Sequence, residues 1–322
     1  MKRKTNLYKD ICKIENINSA FDEVCRNTKN KRKVYLFKEY RCIYISRIQE
    51  ILLKRNYVVG NYNIFTIYEP KKRTIVSQSM QDKIINHLVA RHILYPALLP
   101  CLLNTNVASR KNLGTRKGLD FVNNFNRICK IRYGFYYILK CDISKFFASI
   151  DHEILKKKIL RKIKEKDSIK IVFDIIDSYT PGLGIGSMVN QVFAIFYLHD
   201  LDTFIKENLK IQYYLRYQDD FLLFHPSKEY LKYCLTKIKE FLAKEKLSLN
   251  NKTRIYNSDD NFIFLGKNRF GNPSKYRIVK RKIKYKVKLY NQDKIHLRSL
   301  VSTIICYKSH YPNMFLDNGT LF

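Results

Sequence analysis

Two apolar runs that end in aspartates constrain this chain more than any other feature. Tyr136–Ile143 reads as a short buried strand, with Asp142 near its end. Tyr213–Tyr217 and Phe221–Phe224 read as two strand arms meeting at a Gln218-Asp219-Asp220 turn. Carboxylates are rare beside buried strands, because their charge must be compensated there. Adjacent strands of one sheet would bring Asp142, Asp219 and Asp220 together. Converging carboxylates repel and are driven toward protonation unless a cation lies between them. Oxygen donors without His or Cys suit Mg²⁺ or Mn²⁺. Taken alone, Asp219-Asp220 reads equally well as an ordinary turn, where Asp is common.

The chain around these acids is strongly basic. Its 322 residues carry 61 Lys and Arg against 28 Asp and Glu, a formal net charge of +33. A disordered basic tail would have little apolar content, whereas 46% of these residues are hydrophobic and 14% aromatic. The chain can therefore bury a large core beneath a positive surface. Such a surface repels itself unless a polyanion is present, which points to nucleic acid first and an anionic membrane second. An acidic point kept within so basic a chain fits work on phosphate. The eight cysteines include no CxxC pair and no Cys/His cluster, which argues against a zinc site or a disulfide framework. The expected setting is a reducing, cytoplasmic one. No run of about 18 apolar residues predicts a membrane span, and Met1-Lys2-Arg3-Lys4-Thr5 does not read as a secretory signal.

Along the chain, residues 1–60 read as helical and basic, with an apolar helix at Ile43–Leu53. Tyr62–Tyr68 and Thr74–Ser77 read as a hairpin around a basic turn. Gln81–Leu94 predicts a helix ending before Pro96, and Asp120–Arg132 predicts another. Asp151 is an N-cap candidate for a basic helix running to Lys164. Pro181–Gly186 is a Gly-rich loop, Ser187–Glu207 a long apolar helix, Ser227–Lys246 a helix and Asn261–Leu265 a strand. This order predicts an α+β domain with one mainly antiparallel sheet.

Three segments then fall in order. Cys141-Asp142-Ile143-Ser144-Lys145-Phe146-Phe147-Ala148-Ser149-Ile150-Asp151-His152 resembles motif A of reverse transcriptases. Gly182–Gln191 resembles motif B, and Tyr217-Gln218-Asp219-Asp220 resembles the YxDD box of motif C. Pro70-Lys71-Lys72-Arg73 is similar to the fingers motif, Asn250-Asn251-Lys252-Thr253 to motif D and Phe264-Leu265-Gly266 to the primer grip. The layout resembles prokaryotic group-II-intron-like reverse transcriptases, especially those of diversity-generating retroelements; antiphage-defence enzymes share the core. The chain departs from the first group at Asn190, where Ser is usual, and at Gln218, where Met or Ala is usual.

The resemblance implies a right-hand polymerase. An N-terminal segment and fingers would occupy 1–135, a palm 136–266 (with fingers returning near 153–180), and a small helical thumb 267–322. It implies RNA-directed DNA synthesis by two-metal nucleotidyl transfer. Asp142 and Asp219 would be the main metal ligands, Asp220 a weaker one, and Ile143 would offer its carbonyl. Phe147 would be a steric gate against ribose 2′-hydroxyls. Arg73, with Lys71 or Lys72, would clamp the triphosphate, and Gln191 and Gly186 would meet the nucleotide pair. Lys252 would protonate pyrophosphate. Lys280, Arg281, Lys284 and Lys286 would grip the duplex backbone. His152 reads as a packing residue. Implied partners are an RNA template, a DNA or RNA primer and deoxynucleoside triphosphates. A noncoding RNA, a small basic accessory protein or a second polymerase subunit would join them, and no membrane would. Template- or primer-independent synthesis by the same fold, and a non-catalytic RNA-binding scaffold, are the competing readings.

Overall fold

The computed structural model describes residues 4–68, 72–268 and 275–310. Packing divides the chain into two units. The first comprises Met1–Asn63 and Ser77–Asp260, the second Ile64–Val76 and Asn261–Phe322.

The first unit opens with helices α1 (Tyr8–Ile11), α2 (Ile14–Asn27), α3 (Lys31–Glu39) and α4 (Arg41–Leu53). Strands β1 (Asn63–Ile67) and β2 (Arg73–Ser77) then pair as a small sheet, which falls mostly in the second unit. Ser79 caps α5 (Met80–Leu88), its Oγ accepting from the Asp82 amide. This helix does not end before Pro96 as its sequence predicts. It continues through a π-helical segment, Val89–Leu94, into α6 (Tyr95–Leu98). Pro96 sits at the second residue of α6, where the π-helical segment gives way to α-helix.

The remaining elements of this unit are α7 (Thr115–Tyr133), β3 (Tyr137–Asp142), α8 (Phe146–Ser149), α9 (His152–Leu160), α10 (Lys166–Asp177), α11 (Met188–Tyr197), α12 (His199–Thr203), β4 (Tyr213–Tyr217), β5 (Asp220–His225), α13 (Lys228–Lys244) and β6 (Arg254–Asn257). Asp151 caps α9 by accepting from the Ile154 amide. The single helix expected over Ser187–Glu207 is broken at Leu198 and ends in a π-helical segment at Phe204–Asn208.

Strands β4, β5, β3 and β6 form one four-stranded antiparallel sheet in that order. Its inner strands are buried through Ile138, Leu139, Cys141 and Phe221–Phe224, so both read as apolar runs, that of β3 interrupted by Lys140. Helices α7 and α13 pack against it. The fourth strand is β6 and not Asn261–Leu265, which the sequence pattern favours. An edge strand as exposed as β6 needs no apolar run to mark it. One hydrophobic cluster extends from Leu7 and Ile11 through α5 and α11 to Leu242 and Leu247.

In the second unit, Ile263–Phe264 forms β7, paired with β8 (Lys267–Asn268). Helices α14 (Lys275–Asn291) and α15 (Leu297–His310) pack on each other. Val279 and Ile283 are buried there, with Val287 and Tyr307 against them. The chain is therefore α+β, with one four-stranded antiparallel sheet in the first unit and two-stranded pairings besides.

Candidate active site

Strand register brings the acids together. Asp142 pairs directly with Asp220 across β3 and β5, and Tyr217 pairs with Asp220 across β4 and β5. Gln218-Asp219 is thus a two-residue turn, with Gln218 at a φ of 56°. The Ile143 amide donates to the Asp219 carbonyl at 3.3 Å and ties the turn to the end of β3. On the other side, the Asn250 amide donates to the Asp142 carbonyl at 2.7 Å, and the Ser144 amide to the Ser248 carbonyl at 2.9 Å. Motif A is held between motif C and the approach to motif D.

Lys140 lies two residues before Asp142 and so shares its face of the strand. Its Nζ meets Asp220 Oδ1 at 2.7 Å. Burial pushes the Asp220 carboxyl up to about 6; Lys140 opposes this, while Asp142 and Asp219 add to it. Three aspartates thus stand close to one lysine, and burial is the main cost of ionising Asp220. Among the described residues no three His, Cys, Asp or Glu side chains form a ready metal cage. Mg²⁺ does not require one: it is bound by one or two carboxylates, and substrate phosphates and waters complete its shell. A pair of facing aspartates with a third in the adjacent turn fits that donor chemistry.

Motif B approaches motif A at one glycine. A Cβ on Gly182, whose φ is +64°, would stand 2.3 Å from the Phe147 carbonyl oxygen. The Leu183 amide donates to that same oxygen at 2.8 Å, and His152 Nε2 meets the Gly182 carbonyl at 2.8 Å. Phe147 is half-buried edge-on to Phe146. Asn190 is buried and donates to the Gly184 carbonyl, which shapes the loop. Gly186 and Gln191 line a cleft of about 310 Å³ together with Asn27, Gln78, Lys83 and Asn86. Burial lowers the Lys83 pKa, and nearby Lys33 lowers it further.

A fully buried arginine anchors the turn that carries Asp219. Arg216 on β4 donates from Nε and Nη2 to the two carboxylate oxygens of buried Asp202, both at 2.6 Å. Its Nη1 donates to the Gln218 carbonyl at 3.0 Å and its Nη2 to the Ile195 carbonyl at 2.9 Å. One guanidinium thus joins α11, α12 and the turn. Burial opposes its charge, but the Asp202 carboxylate prevails and raises the Arg216 pKa. Tyr214 also donates to Asp202, at 2.7 Å.

Lys252 is exposed on the loop after Asn250. Arg73 opens β2, exposed, in the second unit. Pro70 and Lys71 lie outside the described residues. Lys280, Arg281 and Lys284 are exposed on α14, whereas Lys286 is half-buried and donates to Ser299 Oγ at 2.9 Å. Sequence reasoning missed Lys140, Arg216 with Asp202, and Ser109, which bonds to Gln191 and Gln218. Only the period-2 spacing of Lys140 and Asp142 signals the first of these. A buried Arg within an apolar strand is the signal for the second.

The profile of the reverse transcriptase (RNA-dependent DNA polymerase) family matches residues 68–268, more than half of the chain. The chain belongs to that family, whose members are nucleotidyltransferases. Its fold is similar to that of an apo telomerase from Candida tropicalis truncated from its C-terminal domain. The TM-score is 0.52 at 16% identity, covering 73% of this chain and 58% of that one. A Candida albicans telomerase in complex with a fragment of telomeric RNA aligns at a TM-score of 0.48 and 13% identity, covering 88% and 59%. This chain therefore spans less than two thirds of either telomerase chain. No curated protein matches it in sequence. Among the described residues no helix is long and apolar enough to cross a membrane.

Proposed function

We propose that the chain adds deoxynucleotides to a primer 3′ end on an RNA template, by nucleotidyl transfer assisted by two Mg²⁺ ions. The observation that carries this reading is the pairing of Asp142 with Asp220, with Asp219 in the adjoining turn. Asp142, Asp219 and the Ile143 carbonyl would hold the metal. Asp220, tied to Lys140, would tune the charge. Bound there, Mg²⁺ (or Mn²⁺) supplies a lowered pKa for the primer hydroxyl and neutralises the leaving pyrophosphate.

The other side chains bind and orient. Phe147 would crowd a ribose 2′-hydroxyl and favour deoxynucleotides. Gln191 and Gly186 would meet the templated pair in the amide-rich cleft. Arg73 and Lys71 would hold the triphosphate, and Lys252 would give a proton to pyrophosphate. Lys280, Arg281, Lys284 and Lys286 would follow the heteroduplex backbone. In this reading 1–135 acts as fingers, 136–266 as palm and 267–322 as thumb. The setting we propose is a cytoplasmic, prokaryotic retroelement or antiphage-defence system, with a noncoding RNA, small basic protein or second polymerase subunit as partner. The motif segments that resemble those enzymes, and a sequence without CxxC pairs or a Cys/His cluster, support it.

Primer extension on RNA with Mg²⁺ tests the reading. The double variant Asp219→Asn/Asp220→Asn should lose extension while keeping RNA binding. Extension at the wild-type rate would rule out the catalytic assignment.

A further inference from the structure

Gln191 in motif B and Gln218 in motif C are joined through one side chain. Ser109 Oγ donates to Gln191 Oε1 at 3.0 Å and accepts from Gln218 Nε2 at 3.0 Å. A hydroxyl has one proton and two lone pairs, so it can serve both neighbours at once. The three residues come from three places: the first turn of α11, the loop before α7, and the β4–β5 turn.

The loop is built to hold Ser109 still. The Val107 amide donates to the Arg216 carbonyl at 3.1 Å, and the Arg216 amide to the Thr105 carbonyl at 3.0 Å, which fastens the loop to the edge of β4. Arg110 Nη1 donates to the Leu103 and Asn106 carbonyls. Ser109 itself has a φ of 52°, and Gln218 a φ of 56°. Neither is glycine, so both ends of the Gln218–Ser109 hydrogen bond sit in backbone conformations that cost energy. Gln218 Nε2 makes its hydrogen bond to Ser109, while its Oε1 is buried without a hydrogen-bond partner among the described residues.

We propose that Ser109 is a positioning residue for nucleotide selection, linking the side chain that meets the templated pair to the turn that carries Asp219. The proposal rests on the reading of Gln191 given above. Because Ser109 occupies Gln191 Oε1, the amide presents its Nε2 donor to a ligand. Every Watson–Crick pair offers acceptors at equivalent minor-groove positions, whatever its sequence. A donor fixed by Ser109 therefore recognises pair geometry without reading sequence, and a mismatch displaces its acceptor. Ser109 touches neither substrate nor metal; it acts through its two neighbours.

The test is single-nucleotide insertion on an RNA template, comparing kcat/KM for matched and mismatched deoxynucleotides. Ser109→Ala removes the hydroxyl and keeps the backbone cost; Ser109→Gly removes both. The proposal expects both variants to lower discrimination equally, by about three- to tenfold, the scale of one hydrogen bond. It also expects Ser109→Ala to add little to Gln218→Leu, because both cut the same chain. Unchanged discrimination in both serine variants overturns it. So does a wild-type ratio in Ser109→Gly alone, which would assign the effect to backbone strain, or equal losses on both nucleotides, the mark of a structural role. Gln191→Ala measured alongside separates the two layers: wild-type discrimination in that variant overturns the Gln191 reading itself.

Discussion

Asp220 is the residue whose environment says most about the site. Its carboxyl is pushed up to about 6, first by burial, with the neighbouring acids adding and Lys140 opposing. An aspartate raised in the fold contributes stability that is fully present below its unfolded value near 3.8 and lost as pH rises through about 6. Thermal melts without metal should therefore show a loss of Tm across this window, with a smaller loss in Asp220→Asn. A cation that restores the balance must displace a proton below pH 6. Apparent Mg²⁺ affinity, read as the Mg²⁺-induced Tm shift, should fall by up to about tenfold per pH unit there. A Mg²⁺ shift independent of pH between 5 and 8 would show that Asp220 does not sense the metal. The acids were legible in the sequence because a charge beside an apolar run is costly and so conspicuous. Lys140 was not: in a chain with 61 Lys and Arg, no single lysine stands out. Ser109 was not either, since a serine in a polar loop carries no signal until the fold sets it between two glutamines.

At the scale of elements, the decisive joint is where the motif B loop crosses motif A. Gly182 allows the crossing because a Cβ there would collide with the Phe147 and Ala148 backbone, at a φ of +64°. Gly182→Ala should destabilise the protein by about 2 kcal/mol or more in urea denaturation. Because the clash falls on Phe147, it should also weaken discrimination against ribonucleotides. Wild-type stability would show that the two loops can separate freely. Elements with one strongly buried face, such as α13, were readable from periodicity, and β3 from its apolar run. The break at Leu198 was hidden, since α11 before it is apolar almost throughout and an apolar run has no period to interrupt, and neither Gly nor Pro marks the break. Strand β6 was hidden for the opposite reason: Arg254–Asn257 lies at the sheet edge, half-exposed, and hydrogen bonds to β3 rather than apolar content define it.

For the whole molecule, a charge of +33 sets the terms of association. The exposed cations Lys280, Arg281 and Lys284 on α14 should each release about one counterion on binding a heteroduplex. Replacing all three with Gln should flatten the slope of log K against log salt by about three, with little dependence on sequence. Lys286, bonded to Ser299, should contribute less. An unchanged slope would place the duplex elsewhere. In the proposed function the many bases hold the polyanion and the few acids hold the metal. The most direct measurement is a Mg²⁺ titration of primer extension on an RNA template, wild type against Asp142→Asn. Magnesium-dependent extension by the wild type is predicted, falling by about a thousandfold or more in the variant while heteroduplex binding persists. Wild-type extension by Asp142→Asn would contradict the account.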